Sequence, residues 1–263
     1  MIKSLYTAAS GMRAQQTNVD TISNNLANVN TAGYKRTMAT FQDLMYVAMK
    51  APGLEQNNAV STPVGIEIGS GSRLSSTSRV FSQGVLEETR GKVDLAIEGE
   101  GFFAVTLPDG STAYTRDGHL MPDAEGKLVT AQGYPVTPQI TLGSDVVDVG
   151  VNAEGVVTVK TRGNPEQATP VGNIQLSRFI NPAGLEALGG NVFRQTSASG
   201  QGVPETPGRN GMGQLRQGYL ERSNVDVVNE LVAMIVAQRA YEVNSRAIRT
   251  SDDMLSQANA LVR

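Results

Sequence analysis

The chain has 263 residues, 40% of them hydrophobic, and a net charge of −3; this supplies one large core or two ordinary ones but not the basic surface that nucleic acid requires. It has no cysteine, which excludes disulfides, thiolate metal sites and a thiol nucleophile. No run approaches the roughly 18 apolar residues of a membrane span, and Met1-Ile2-Lys3-Ser4-Leu5 lacks the apolar stretch of a cleaved signal, so neither membrane insertion nor a cleaved leader is expected.

Residues 4 to 29 contain one glycine, Gly11, and no proline. Leu5, Met12, Val19 and Leu26 recur every seven positions, and Ile22 and Val29 extend the apolar face. This predicts a long helix, roughly 40 Å at about 1.5 Å per residue, with Ser4 as its cap and the turn chemistry of Asn28 to Gly33 as its stop. Asn18, Asn24, Asn25 and Asn28 are poor helix formers. They read either as register-setting amides in a packed bundle or as a solvated face. Met38, Phe41, Met45 and Ala48 again have near-helical spacing, ending at Pro52-Gly53. From 51 to 90 the chain is rich in Ser, Thr, Gly, Asn and Pro, with short alternations at Ile66-Glu67-Ile68 and Val85-Leu86-Glu87 that predict extended or hairpin structure.

From 91 to 180 the pattern is β. Val93, Leu95 and Ile97 alternate, and Phe102 to Leu107, Pro108-Asp109-Gly110 and Ser111 to Thr115 read as strand, tight turn, strand. Asp123-Ala124-Glu125-Gly126 and Asn152-Ala153-Glu154-Gly155 predict two further turns, each followed by an apolar strand. Residues 196 to 213 are turn-rich. Ser223-Asn224-Val225-Asp226 offers a cap for a final helix over about 225 to 262, free of Gly and Pro. Its seven-spaced stripe is Val227, Met234, Tyr241, Ile248, Leu255 and Val262, with smaller companions at Ala237, Asn244, Ser251 and Ala258.

The order helix, β region, helix predicts an α+β fold. Long, coiled-coil-like N- and C-terminal helices pair, and a β-rich stem and compact β domain are inserted between them. The expected divisions are 1–35 plus 225–263 for the helices, 36–90 plus 205–224 for the stem, and 91–204 for the β domain.

Candidate chemistry is sparse. His119, the single histidine, reads as a surface turn residue. Asp94, Glu98 and Glu100 suggest acid and base work on a glycan, but Asp94 and Glu98 fall on one strand face and read as solvated. Gly99-Glu100-Gly101 and Gly69-Ser70-Gly71 lack the strand-to-helix context of a nucleotide loop, and Asp123 to Lys127 lacks the spacing of a calcium loop. Phe102-Phe103 reads as β core. No catalytic, cofactor or metal site is expected.

Three segments carry a resemblance. Ser23-Asn24-Asn25-Leu26-Ala27-Asn28-Val29-Asn30-Thr31-Ala32-Gly33-Tyr34-Lys35 resembles the signature of bacterial flagellar rod and hook proteins. Ser223 to Asp226 with Met234 to Glu242 is similar to the other end of that family, and Gly101-Phe102-Phe103 through Ala113 to Gly118 to its middle. The resemblance covers essentially the whole chain. It implies a self-assembling axial subunit whose terminal helices form an inner tube with the β domain outside. Length and an added segment at 47–64 point to the distal-rod members, in which that segment, here with Pro52, Gly53 and Pro63, goes with a stiff rod. The implied assembly interface is Leu5, Met12, Val19, Ile22, Asn24, Asn25, Leu26, Asn28, Met234, Tyr241, Asn244, Ile248 and Leu255. The implied partners are further copies, the proximal rod and hook proteins, the P- and L-ring proteins and a rod cap. The implied location is the periplasm-spanning rod, reached through the flagellar type III exporter. The rivals are a proximal rod or hook subunit, a periplasmic glycan hydrolase using Glu98 or Glu100, and a trimeric coiled-coil adhesin.

Overall fold

The computed structural model describes residues 2–50, 55–56, 60–61, 64–143 and 145–261. The chain forms two compact units. One gathers residues 1–26, 37–78 and 226–263; the other gathers 27–36 and 79–225. The expected stem segment 36–90 is thus divided between them.

In the first unit, helix α1 spans Ile2–Ala27 and helix α2 spans Val227–Leu261. Asp226 caps α2 as its sequence suggests: its carboxylate accepts from the N–H groups of Val228 (2.9 Å) and Asn229 (3.3 Å), satisfying donors that the first turn leaves over. Ser4 is not a cap, because α1 begins at Ile2; its hydroxyl lies 3.5 Å from that of Ser251 on α2. Gly11 backs onto Asn244, and Asn25 Nδ2 donates to Glu230 Oε2 at 3.3 Å. A step of seven up α1, from Ser4 to Gly11, is a step of seven down α2, from Ser251 to Asn244. Fourteen further, at Asn25, the partner is fourteen back, at Glu230. The helices therefore pair antiparallel in a constant register.

The most buried positions of the two helices are Ala8, Ala14, Ile22 and Asn25 on α1 and Glu230 and Ala237 on α2, all but Ile22 small or polar. Small residues let helix axes approach closely, and buried polar pairs fix the register. Asn25 also starts the following strand. Its amide accepts from the Thr37 N–H (2.9 Å) and donates to the Thr37 carbonyl (2.8 Å).

The helical spacing at 37–50 misleads. The chain forms strands Thr37–Asp43 and Val47–Lys50. Exposure alternates from Thr37 to Phe41, with Met38 and Thr40 outward, and Met45 is 88% exposed. Pairing decides the outcome: Thr37–Asp43 pairs with Ser72–Arg79, and Val47–Lys50 runs antiparallel to Ile66–Ile68. Glu55–Gln56 and Val60–Ser61 pair beyond them. Ile66, Glu67 and Ile68 all face solvent. Pro52, Gly53 and Pro63 lie outside the described residues.

The second unit is built on an antiparallel sheet in the order Glu186–Gly189, Val192–Arg194, Thr112–Thr115, Phe102–Thr106, Leu176–Arg178, Val203–Glu205, with Val136–Thr137 also on Phe102–Thr106. The 102–115 hairpin forms as its sequence suggests, through Gly110 at φ 79°. The turns at 123–126 and 152–155 close with Gly126 and Gly155 N–H groups on the Asp123 and Asn152 carbonyls, both at 3.0 Å. Strands Leu128–Thr130 and Val156–Thr161 follow. Leu95–Glu98 pairs with Gln214–Gln217, and Leu86–Glu88 with Tyr219–Glu221.

Adjacent residues on a strand face opposite ways. Phe103 therefore enters the main core with Leu95, Ile97, Val105 and Leu176, while Phe102 enters a smaller cluster with Tyr114, Phe179 and Phe193. The rings of that cluster meet edge to face, Tyr114 and Phe179 at 4.7 Å. Full burial of each such side chain stabilises by roughly 1.5–3 kcal/mol.

Candidate assembly site

The expected interface residues do not all lie in one contact. Ile22 and Asn25 are buried, while Leu5, Met12, Val19 and Leu26 are half-buried. Asn24 is exposed, and Asn28 sits half-buried in the turn after α1. On α2, Met234, Asn244, Ile248 and Leu255 are half-buried and Tyr241 is 43% exposed. Val19 and Tyr241 border one groove of about 440 Å³ with Gln16, Gln238 and Glu242. The companion positions Ala237, Asn244 and Ser251 run along the intramolecular seam. A second set of large apolar side chains, Val228, Leu231, Val232, Ile235 and Val236, is exposed on α2.

The second unit holds a buried charge cluster that spacing alone does not reveal. Lys35 Nζ lies 2.5 Å from Glu221 Oε1, both side chains fully buried, and donates to the Ser82 carbonyl at 2.7 Å. Glu221 Oε1 also accepts from the Gly84 N–H at 2.9 Å, and Glu221 Oε2 lies 3.5 Å from Arg116 Nε. Arg116 donates to the Gly99 carbonyl at 2.9 Å and lies over the Phe102 ring. Burial lowers the pKa of both cations, against the pull of Glu221. Gly33, at φ 68°, donates its N–H to the Glu221 carbonyl (2.8 Å), and a Cβ there would meet the Asp117 backbone at 2.6 Å. The turn after α1 is thereby tied to the strand that precedes α2. Lys35 and Arg116 stand in the family-like segments, but nothing in the sequence pairs either with Glu221.

The glycan-acid reading finds no assembled pair. Asp94 is buried rather than solvated; its carboxylate accepts from Thr89 Oγ1 (2.6 Å) and meets His119 Nδ1 (2.8 Å). His119, 45% exposed, is therefore engaged and not a bare surface side chain. Glu98 is exposed, 3.7 Å from Arg216. Among the described residues no cluster of three or more His, Asp or Glu could hold a metal ion, and no helix is long and apolar enough to cross a membrane.

Paired terminal helices in a constant register, with large apolar side chains exposed on α2, suit the class of structural subunits that pack against further chains. The comparisons give the family. Residues 5–35 match the flagella basal body rod protein family, 96–159 the flagellar hook protein FlgE/F/G D1 domain, and 216–261 the flagellar basal body rod FlgEFG protein C-terminal family. The chain is 49% identical to the flagellar basal-body rod protein FlgG of Borreliella burgdorferi over 100% of both chains. It is 46% identical to that of Caulobacter vibrioides, over 99% of both, and 37% identical to that of Bacillus subtilis, over 100% of both. The chain belongs to the flagellar basal-body rod and hook protein family.

Proposed function

We propose that this chain is the structural subunit of the distal rod, the drive shaft of the flagellar basal body, and that it acts by helical self-assembly rather than catalysis. The observation that carries this reading is the row of exposed apolar residues on α2, Val228, Leu231, Val232, Ile235 and Val236. Neighbouring copies cover it through contacts that repeat without closing into a ring. Terminal helices line an export channel, and the β body faces the P- and L-ring proteins. Proximal rod proteins, the hook protein and a rod cap meet the two ends. The chain leaves the cytoplasm through the flagellar type III exporter, and the segment 47–64 stiffens the polymer.

Tyr241 tests the reading cleanly because it is partly exposed in the single chain. Tyr241→Asp blocks rod formation and leaves the β body folded; Leu26→Asp does the same. Normal rods and motility in both variants overturn the proposal. Deleting residues 47–64 makes the polymer more bendable, whereas an unchanged straight polymer assigns the chain to the proximal rod or hook. Zymography on cell wall gives no clearing.

A further inference from the structure

The constant register between the helices leaves one end of α2 without a counterpart. Ser251 stands opposite Ser4, so Asp253 falls opposite Ile2, where α1 begins. Residues 254–261 continue for about 12 Å with no residue of the described α1 across from them. Asp252, Asp253, Met254 and Gln257 are exposed there, and neither carboxylate is bonded to a described residue.

The same unit contains a groove of complementary character. It is a cavity of about 530 Å³ between α1 and the strand segment 70–74, with Tyr6, Ala9, Leu44 and Leu74 as apolar walls and Arg13 and Arg73 at its sides. Tyr6 is 72% exposed. Neither guanidinium is ion-paired to a described residue, although Arg73 donates to the side-chain amide oxygen of Gln42. The groove is a fixed feature of the unit, since the Ser72 N–H donates to Ser10 Oγ at 3.2 Å and the Leu44 N–H to the Gly71 carbonyl at 2.9 Å.

The geometry points to a contact between copies in which the acidic end of α2 from one chain docks in the Arg13–Arg73 groove of the next. Asp252 and Asp253 pair with the two arginines, and the flexible Met254 side chain fills the apolar space between them. The pairing does not occur within one chain: the register puts Arg13 across from Glu242, which is roughly 16 Å along α2 from Asp253. The inference rests on the helical-polymer reading and names one of its contacts.

Charge exchange tests it. Arg13→Asp and Asp253→Arg each raise the concentration needed for polymerisation of the purified full-length chain, on the order of fivefold for a partly exposed pair. The doubly exchanged chain returns to within about twofold of the wild type, as restored complementarity requires. The chain has no cysteine, so an Arg13→Cys chain mixed with an Asp253→Cys chain carries one thiol of each kind, and a short bismaleimide joins them across the contact. Polymers without this cross-link, or a double exchange that fails to restore assembly, overturn the contact while leaving the rod reading intact. Cross-linking of Arg13→Cys to a Glu67→Cys chain in its place assigns the groove to the exposed strand pair and overturns it too. A wild-type chain that never polymerises sinks the rod reading itself, and this contact with it.

Discussion

Lys35 and Glu221 lie 186 positions apart, yet their side chains meet at 2.5 Å with no solvent exposure. One carboxylate there serves two buried cations, because Arg116 approaches its other oxygen at 3.5 Å. The three residues come from the turn after α1, the edge of the 102–115 hairpin and the strand before α2, so the cluster closes the second unit where the chain enters and leaves it.

The sharing makes the cluster asymmetric under mutation. Glu221→Gln strands two cations among carbonyl acceptors and destabilises by about 3–5 kcal/mol. Lys35→Met leaves Glu221 with Arg116 and the Gly84 N–H and costs about 1–3 kcal/mol. Denaturant unfolding of both variants checks the order; a Lys35→Met loss equal to or above that of Glu221→Gln contradicts the shared-carboxylate account.

Asp117 gives the β body an acid-side dependence. Burial raises its pKa, the nearby Asp94 adding in the same direction, while the His119 N–H, donated at 3.0 Å, opposes. A carboxyl raised on folding contributes stability in full below its unfolded value, about 3.9, and loses it as pH climbs through the folded value. Asp117→Asn keeps an acceptor for His119 and removes the titration. We expect this variant to be at least as stable as the wild type at pH 7, with a flatter stability profile from pH 4 upward. Lower stability at pH 7 with the slope unchanged refutes the assignment.

We expect the helix pair to be the weaker structure, because its buried positions are mostly small or polar. A Cβ on Gly11 would sit 2.9 Å from Asn244 Nδ2, the free end of a side chain that can swing away. Gly11→Ala therefore costs little, since alanine gains up to about 1 kcal/mol in helix propensity, whereas Gly11→Leu forces the helices apart. Amide exchange on the isolated monomer reads this directly. Protection over 4–25 and 230–251 falls below that of the β core in the wild type and is lost in Gly11→Leu. Strong wild-type protection of both helices to their ends argues against ordering on assembly.

Much of this architecture was legible in the chain. The two helices begin and end within two residues of their periodic segments, Asp226 caps as its position suggests, and the Asp123 and Asn152 turns close on their glycines. Such features are local, and local residues announce them. The strand Thr37–Asp43 escaped because Met38 and Phe41 mimic a helical stripe, while the partner that settles the matter lies at 72–79. Lys35, Arg116 and Glu221 escaped for the same reason: nothing near each charge names the others. Along the seam, the seven-spaced Leu5, Met12, Val19 and Leu26 drew the eye by size. The buried helix residues are instead mostly small ones such as Ala8, Ala14 and Ala237, and the contacts between the helices fall at Ser4, Gly11 and Asn25.

The unmatched end of α2 ties the chain's shape to its own abundance. A turn that finds a partner only on another molecule gains order by mass action. On the docking contact proposed above, a dilute chain leaves these turns uncovered, and a crowded one covers them at the growing tip. Supply and structure are then one variable, and the last turns of the helix are where the molecule reads it.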